Sequence, residues 1–303
     1  MHRRQFLTAT GAAALAGATS APAREAIARK GRPIFRPALA AYSYKSEFGW
    51  MRGKALEVAG EPLTMKAFVD RCRDLEVGAE LTSYFFPPDF GKADYLDLRN
   101  HAFVQGVPIV GTAIGNNFSK GSGPQLDREL AAAKDWIERA AWMGAPHVRF
   151  FAGTAKDFAA DPGRLAIAAD AMKECCDVAA ERGIFLGVEN HGNISPDQLL
   201  EIMERVDSPW IGINLDTGNF PTKDPYGDLA RCAPFAVNVQ VKMNMKTPGG
   251  EKYEADLDRI AQLLVDARYQ GNVVLEYEQP DARDAVPAAM EKMRTALSKA
   301  QQG

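Results

Sequence analysis

Histidine and cysteine are scarce in this chain, four of each among 303 residues, and what they fail to form excludes several kinds of protein. Cys72, Cys175, Cys176 and Cys232 make no CxxC pair and no zinc-ribbon spacing, so neither a structural zinc module nor a disulfide framework is indicated. Buried free thiols are the expectation for all four. Basic residues are not in excess: the formal charge is −3, and −5 without Arg3 and Arg4, which argues against a nucleic-acid partner. No GxGxxG follows the first strand-like segment, so a dinucleotide fold has no support. No cluster of Lys and Arg marks a phosphate pocket. No Ser/Gly-rich or Pro-rich linker interrupts the chain, and the roughly 280 residues beyond its start suit one large α/β barrel better than several small domains.

The start itself reads as an address. Met1-His2-Arg3-Arg4-Gln5-Phe6-Leu7 pairs two arginines ahead of an apolar, Ala-rich stretch from Leu7 to Ala18, and Ala21-Pro22-Ala23 follows as an A-x-A cleavage site. This is similar to a twin-arginine export signal, and the stretch is too short and small-residued for a lasting membrane helix. The expected organisation is a signal peptide over 1–23, an N-terminal extension over 24–36 and the folded domain over 37–303. The mature protein is expected in the periplasm, with no membrane attachment.

What the chain does hold is alternation. In Ile211-Gly212-Ile213-Asn214-Leu215-Asp216 the apolar residues occupy every second position, and the small or polar ones lie between. Period two means a strand with one greasy face. Leu186 and Val188 likewise oppose Gly187, Glu189 and His191. Val237 to Asn244 alternates throughout, and Val273 to Glu278 ends in the same way. Each such strand precedes a helix-length segment, and parallel strands crossed over by helices are buried on both faces. The polar faces must then point into a closed barrel, where isolated charges are very costly unless a cation sits among them.

Eight strand-plus-helix units can be counted. The strands are expected at 38–43, 79–85, 109–115, 147–151, 185–190, 211–216, 237–243 and 273–277. The helices are expected at 64–75, 94–105, 125–143, 162–182, from 195–196 onward, 226–232, 254–269 and 285–300. Thr64 is a plausible N-cap, and Ser195-Pro196 reads as a cap followed by proline at the first helical position. Right-handed crossovers close such a series into a single-domain (β/α)8 TIM barrel.

In that barrel the active site lies at the C-terminal strand ends. Glu189, Asp216, Gln240 and Glu276 stand there, one from each of the last four strands. Three carboxylates and an amide oxygen form a hard site suited to Mn²⁺ or Mg²⁺. An internal ion-pair network with Lys242 and Arg149 would account for the same pattern. His191 is a further ligand or a substrate contact. Arg149 and Glu80 face inward as an expected ion pair, with Arg149 also a candidate substrate contact. Asn116, Asn117, Tyr84 and Tyr44 stand at strand ends where substrate hydroxyls need partners. Phe85, Phe86, Phe90 and Trp50 are candidates for stacking on a sugar, although packing is the commoner role.

The motifs GVENHG, LDTGNF, VQVKMN and VLEYE, in that order, resemble those of the xylose-isomerase-like superfamily of TIM-barrel sugar isomerases and epimerases. ELTSYFFP, GTAIGNNF and VRFFAG are similar to an exported branch labelled sugar phosphate isomerase/epimerase. The resemblance covers essentially the whole chain after its signal. It implies one divalent ion, Mn²⁺ foremost with Mg²⁺, Co²⁺ or Zn²⁺ admissible, held by Glu189, Asp216, Gln240 and Glu276. Gln240 stands where the family usually has histidine, and Asn219 where a histidine often follows the Asp ligand. Glu278 shares a face with Glu276 and is the alternative ligand.

The implied activity is isomerisation or epimerisation of a small carbohydrate by proton abstraction next to a carbonyl, through an enediolate. Glu189 and Glu276 would move the proton, and His191, Asn219, Lys242, Arg149, Asn116 and Tyr84 would contact substrate. Lys242 would neutralise an alkoxide or bridge to Glu278. The alternative is a lyase or hydratase that cleaves 3-keto-glycosides by β-elimination from the same site. A non-catalytic sugar-binding barrel is disfavoured by the intact acidic residues, and a metal-dependent endonuclease by the scarcity of histidine. A homo-oligomer is compatible with these readings.

Overall fold

The computed structural model describes residues 25–302; the expected signal peptide lies outside the described residues. The elements run β1 (Ile34–Ala40), a hairpin of β2 (Trp50–Met51) and β3 (Lys54–Ala55), α1 (Met65–Asp74), β4 (Gly78–Thr82), α2 (Lys92–Val104), β5 (Ile109–Ala113), α3 (Pro124–Met143) and β6 (His147–Phe151). They continue with α4 (Ala155–Ala160), α5 (Gly163–Arg182), β7 (Phe185–Glu189), α6 (Pro196–Val206), β8 (Ile211–Asp216) and α7 (Pro225–Cys232). Last come β9 (Ala236–Val241), a second hairpin of β10 (Asn244–Lys246) and β11 (Lys252–Glu254), α8 (Leu257–Asp266), β12 (Gln270–Leu275) and α9 (Ala282–Gln302).

β1, β4, β5, β6, β7, β8, β9 and β12 close into one barrel, all paired in parallel. The eight expected units are present. Among the described residues no helix is long and apolar enough to cross a membrane. The capping expectations hold as well. Thr64 Oγ1 accepts from Ala67 N–H, and Ser195 with Gln198 forms a reciprocal capping box.

Differences from expectation fall where short hairpins interrupt the βα rhythm. Helix α8 begins at Leu257 rather than at 254, because the turn at Thr247–Gly250 folds the chain back and pairs Glu254 with Asn244. The loop after β1 also carries a hairpin, turned at Arg52-Gly53 with φ of 51° and 76°. The N-terminal extension is tied to the barrel through Ile27 N–H on the Pro234 carbonyl and Arg29 on the Ala236 carbonyl.

Strand register sets the two faces. Leu186, Val188, Ile213, Leu215, Val239 and Val241 are buried in the main apolar core, on the side where the helices pack. The pairs Glu189↔Asn214, Asp216↔Gln240, Gln240↔Val274, Val274↔Ala38 and Ala40↔Glu80 place these residues on the inner face. Inside, apolar packing is confined to a small cluster of Ala38, Ala40, Val110 and Val274. The rest of the interior is polar.

Candidate functional site

Below the mouth of the barrel, four side chains close a ring of hydrogen bonds. The Gln240 amide donates to Glu80 Oε1 at 2.8 Å, and Asn238 donates to Glu80 Oε2 at 3.1 Å and to Asn214 Oδ1 at 2.8 Å. Asn214 then donates to Gln240 Oε1 at 2.6 Å. Buried polar groups are tolerated when satisfied in this way. The Glu80 carboxyl is pushed up to about 7, by burial first and by the Glu276 charge second. The expected Arg149–Glu80 ion pair is therefore corrected: Glu80 is held by amides, and Arg149 bridges to Glu189 instead. Both positions face inward, and alternation alone does not say which neighbouring carboxylate a long guanidinium reaches.

Above the ring lies the acidic cluster. Arg149 Nε stands 2.9 Å from Glu189 Oε2, and Arg149 Nη1 donates to the Ile114 carbonyl at 2.6 Å. Asn219 donates to Glu189 Oε1 at 2.9 Å. Lys242 Nζ lies 3.2 Å from both Asp216 Oδ2 and Glu278 Oε1. Asn190, immediately after β7, exchanges two hydrogen bonds with the Asp216 backbone and fixes the end of β8. Glu189, Asp216 and Glu276 are only 4 %, 0 % and 7 % exposed.

Burial dominates the electrostatics of this cluster. It raises the Glu189 carboxyl against the pull of Arg149, and the Glu276 carboxyl against that of Lys242. Asp216 rises to about 6 for the same reason, with Lys242 opposing. Lys242 moves the other way: burial disfavours its charge, but four surrounding carboxylates hold it firmly as an ammonium. In Glu278 burial is outweighed by Lys242, and the group falls below its ordinary range. Of the two candidates on this strand, Glu276 is thus the buried carboxylate with raised basicity, and Glu278 the half-buried partner of a lysine.

The donor chemistry fits a hard divalent ion. Glu189, Asp216, Glu276 and the Gln240 amide offer only oxygens, and the buried Asp216 Oδ2 has the Lys242 ammonium at 3.2 Å as its partner. The arrangement adds a condition. Among the described residues no three His, Cys, Asp or Glu side chains gather at liganding spacing, since Arg149 and Lys242 hold two of the carboxylates. An ion would have to take Asp216 over from Lys242, and the Gln240 oxygen would serve it with the lone pair that Asn214 leaves free.

The remaining expected contacts divide. His191 stands on the rim with its ring stacked on Phe151 at 4.1 Å, and burial followed by the Arg149 charge pushes it down to about 4. It is a neutral imidazole at neutral pH. Asn116 spends both ends of its amide on the Phe151 backbone and so latches β5 to β6. Asn117 caps the following loop through Ser119. Tyr44 is core, packed against Phe68 and under the Arg71 guanidinium. Phe86 and Phe90 pack with Tyr95, and Phe85 stacks on Phe48 at 4.3 Å. Tyr84 keeps a buried hydroxyl against the Arg149 guanidinium. His147 and Arg52 were not singled out by sequence reasoning. His147 is an inward imidazole at the start of β6, pushed down to about 3 by burial, and a lone histidine on an alternating strand gives no signal. The four cysteines are free and buried, as expected.

Space is unevenly distributed. Beside Glu276, Glu278 and Lys242, under the β10–β11 hairpin, the free volume is about 10 Å³. A larger space of about 360 Å³ opens at the neighbouring strand ends, against Tyr84 and Asn116.

Comparison with known proteins agrees with this architecture. A structure of a xylose isomerase-like TIM barrel protein from Mycobacterium smegmatis in complex with magnesium superposes with a TM-score of 0.66 at 18 % identity, covering 89 % of this chain and 98 % of that one. The 3-keto-D-glucoside 4-epimerase of E. coli gives 0.66 at 14 %, covering 86 % and 99 %. A D-psicose 3-epimerase from Clostridium cellulolyticum H10 gives 0.66 at 13 %, covering 88 % and 98 %. At these identities the likeness is one of fold. A search of curated proteins finds no match to the sequence. Residues 72–296 match the family model described as xylose isomerase-like TIM barrel, and with that match the chain belongs to the xylose isomerase-like TIM barrel family.

Proposed function

We propose that the protein is a sugar isomerase or epimerase that removes and returns a proton next to a carbonyl, with Glu189 and Glu276 as the groups that carry it. The observation behind this reading is the pair itself: two buried carboxylates at strand ends, both raised above the ordinary carboxylate range. A carboxylate brought closer to neutrality is a stronger base, and its protonated form is a usable acid at working pH. Glu189, Asp216, Gln240 and Glu276 would hold one divalent ion, Mn²⁺ foremost. Such an ion, when bound, supplies Lewis acidity for a carbonyl oxygen.

The chain's own residues account for the rest. Arg149 and Asn219 fix both oxygens of Glu189, so its carboxylate meets the substrate in one orientation. Lys242, held by Glu278 once an ion takes Asp216, offers an ammonium to a developing oxyanion. Glu189 takes the α-proton on a carboxylate oxygen, and Glu276 delivers one. Delivery to the same carbon from the other face gives epimerisation, and delivery to the adjacent carbon gives isomerisation. The 10 Å³ beside Glu276 holds about one water. β-Elimination from a 3-keto-glycoside is the second reading. It uses the same first step and is favoured by the 360 Å³ beside Tyr84, which leaves room for a departing group.

The test is hydrogen exchange. The Mn²⁺-supplied protein is incubated with free ketoses and with 3-keto-glucosides in D₂O, and NMR follows deuterium at the α-carbon and any released aglycone. Exchange without release supports isomerase or epimerase chemistry, and release supports the lyase. Glu189→Gln is expected to abolish exchange with the fold intact; full turnover in that variant would remove Glu189 from the mechanism.

A further inference from the structure

The space beside Tyr84 is not explained by proton transfer alone. At about 360 Å³ it falls within the range of roughly 300–1,000 Å³ common for small-molecule sites. Tyr84 is its boundary with the barrel mouth. The side chain is 6 % exposed, and its buried hydroxyl lies against the Arg149 guanidinium. The backbone is shaped to admit contact with it: a Cβ on Gly115 would stand 2.9 Å from the Tyr84 hydroxyl and 3.2 Å from Arg52 Nη2.

Arg52 reaches the space by an unusual route. It occupies the first position of the β2–β3 turn at φ 51°, where its N–H donates to the Tyr84 carbonyl at 2.7 Å. A left-handed conformation at a residue other than glycine is strained and persists where surroundings enforce it. The guanidinium lies 4.2 Å from the centre of the Tyr84 ring and makes no ion pair among the described residues. Across from it stand Glu129, Asp135, Arg139 and the Trp136 ring.

The mixture of signs selects the ligand. Two carboxylates disfavour a phosphate, and two guanidiniums disfavour a cation. Planar groups of both signs beside aromatic rings suit neutral vicinal hydroxyls, which both donate and accept. We propose that this space is a second saccharide subsite, and that the substrate is a glycoside with one unit at Glu189 and Glu276 and the next against Arg52, Tyr84 and Trp136. The proposal rests on the proton-transfer reading of the acidic cluster and narrows its substrate class.

Direct binding separates the two ideas. Cellobiose and glucose are titrated by calorimetry or ligand-observed NMR into the wild-type protein and into Ala132→Trp and Arg52→Ala. Ala132 is an exposed position of α3 on the wall of this space, so the larger ring fills it without entering the core. Cellobiose is expected to bind at least tenfold more tightly than glucose to the wild type, and each variant is expected to remove most of that advantage. Equal affinity for the two sugars in the wild type, or an undiminished advantage in Ala132→Trp, overturns the subsite. Exchange in D₂O with free ketoses but no disaccharide advantage retires the subsite and leaves the proton-transfer reading standing. A disaccharide advantage without exchange on any keto sugar does the reverse.

Discussion

Arg149→Met isolates what the acidic cluster requires. In the folded protein Arg149 is 6 % exposed and Glu189 4 %, their bridge is 2.9 Å, and the guanidinium also serves the Ile114 carbonyl and the face of Phe151 at 4.0 Å. Methionine preserves much of the apolar stem but leaves Glu189 buried with Asn219 as its remaining polar partner. Removing one member of a buried pair costs about 3–5 kcal/mol, because the other charge is stranded. For a domain of this size about 1 kcal/mol corresponds to roughly 2–4 °C in Tm, so a fall of about 6–20 °C is expected in thermal unfolding followed by circular dichroism at pH 8.

The pH dependence has a fixed sign. Glu189 already has a raised pKa in the folded state, and losing Arg149 raises it further. A group whose folded pKa lies above its unfolded value favours folding at low pH, and that contribution is lost as pH rises through the folded pKa. The deficit of Arg149→Met is therefore expected to be smaller at pH 5 than at pH 8, and Glu189→Gln added to it should restore most of the lost stability. A deficit below about 1 kcal/mol, or a double variant no more stable than Arg149→Met, would refute the account of a stranded charge.

Other outcomes follow from neighbouring features. Glu80 at about 7 against its ordinary 4.5 should make stability decline between pH 5 and 8 by up to about 3 kcal/mol, and urea titrations of Glu80→Gln should show a flatter profile. Gly187→Ala places a Cβ 2.2 Å from His147 Nε2 and 3.0 Å from Asn214 Cβ inside the barrel, and a loss of about 1–3 kcal/mol or more is expected in the same titrations. Ser195→Ala removes the hydroxyl that accepts from Gln198 N–H, with an expected cost of about 1 kcal/mol read as a shift in Tm.

The fold was legible because period-two alternation and helix-length spacing are properties of the chain alone. Four cooperating strands, each with an acid or amide on the face opposite its apolar residues, could hardly be accommodated in another architecture. The site was legible to the level of strand ends. Which partner each charge chose was not: Arg149 reached Glu189 rather than Glu80, and Asn116 turned its amide to the Phe151 backbone. Such choices depend on stagger between strands, which shifts at Ala79/Glu80 and at Ile213/Asn214 and leaves no mark in the sequence. The two short hairpins escaped for a different reason. Their strands are only two or three residues long, too brief for any period to register.

Gln240 belongs to two structures at once: the mouth, where it stands beside Asp216, and the plug of amides underneath. Its single amide donates to Glu80 and accepts from Asn214 at the same time, so truncating it to alanine would leave each of them one hydrogen bond short. A substitution made at position 240 for the chemistry of the rim therefore also acts on the storey beneath it, where Glu80, Asn214 and Asn238 share its hydrogen bonds.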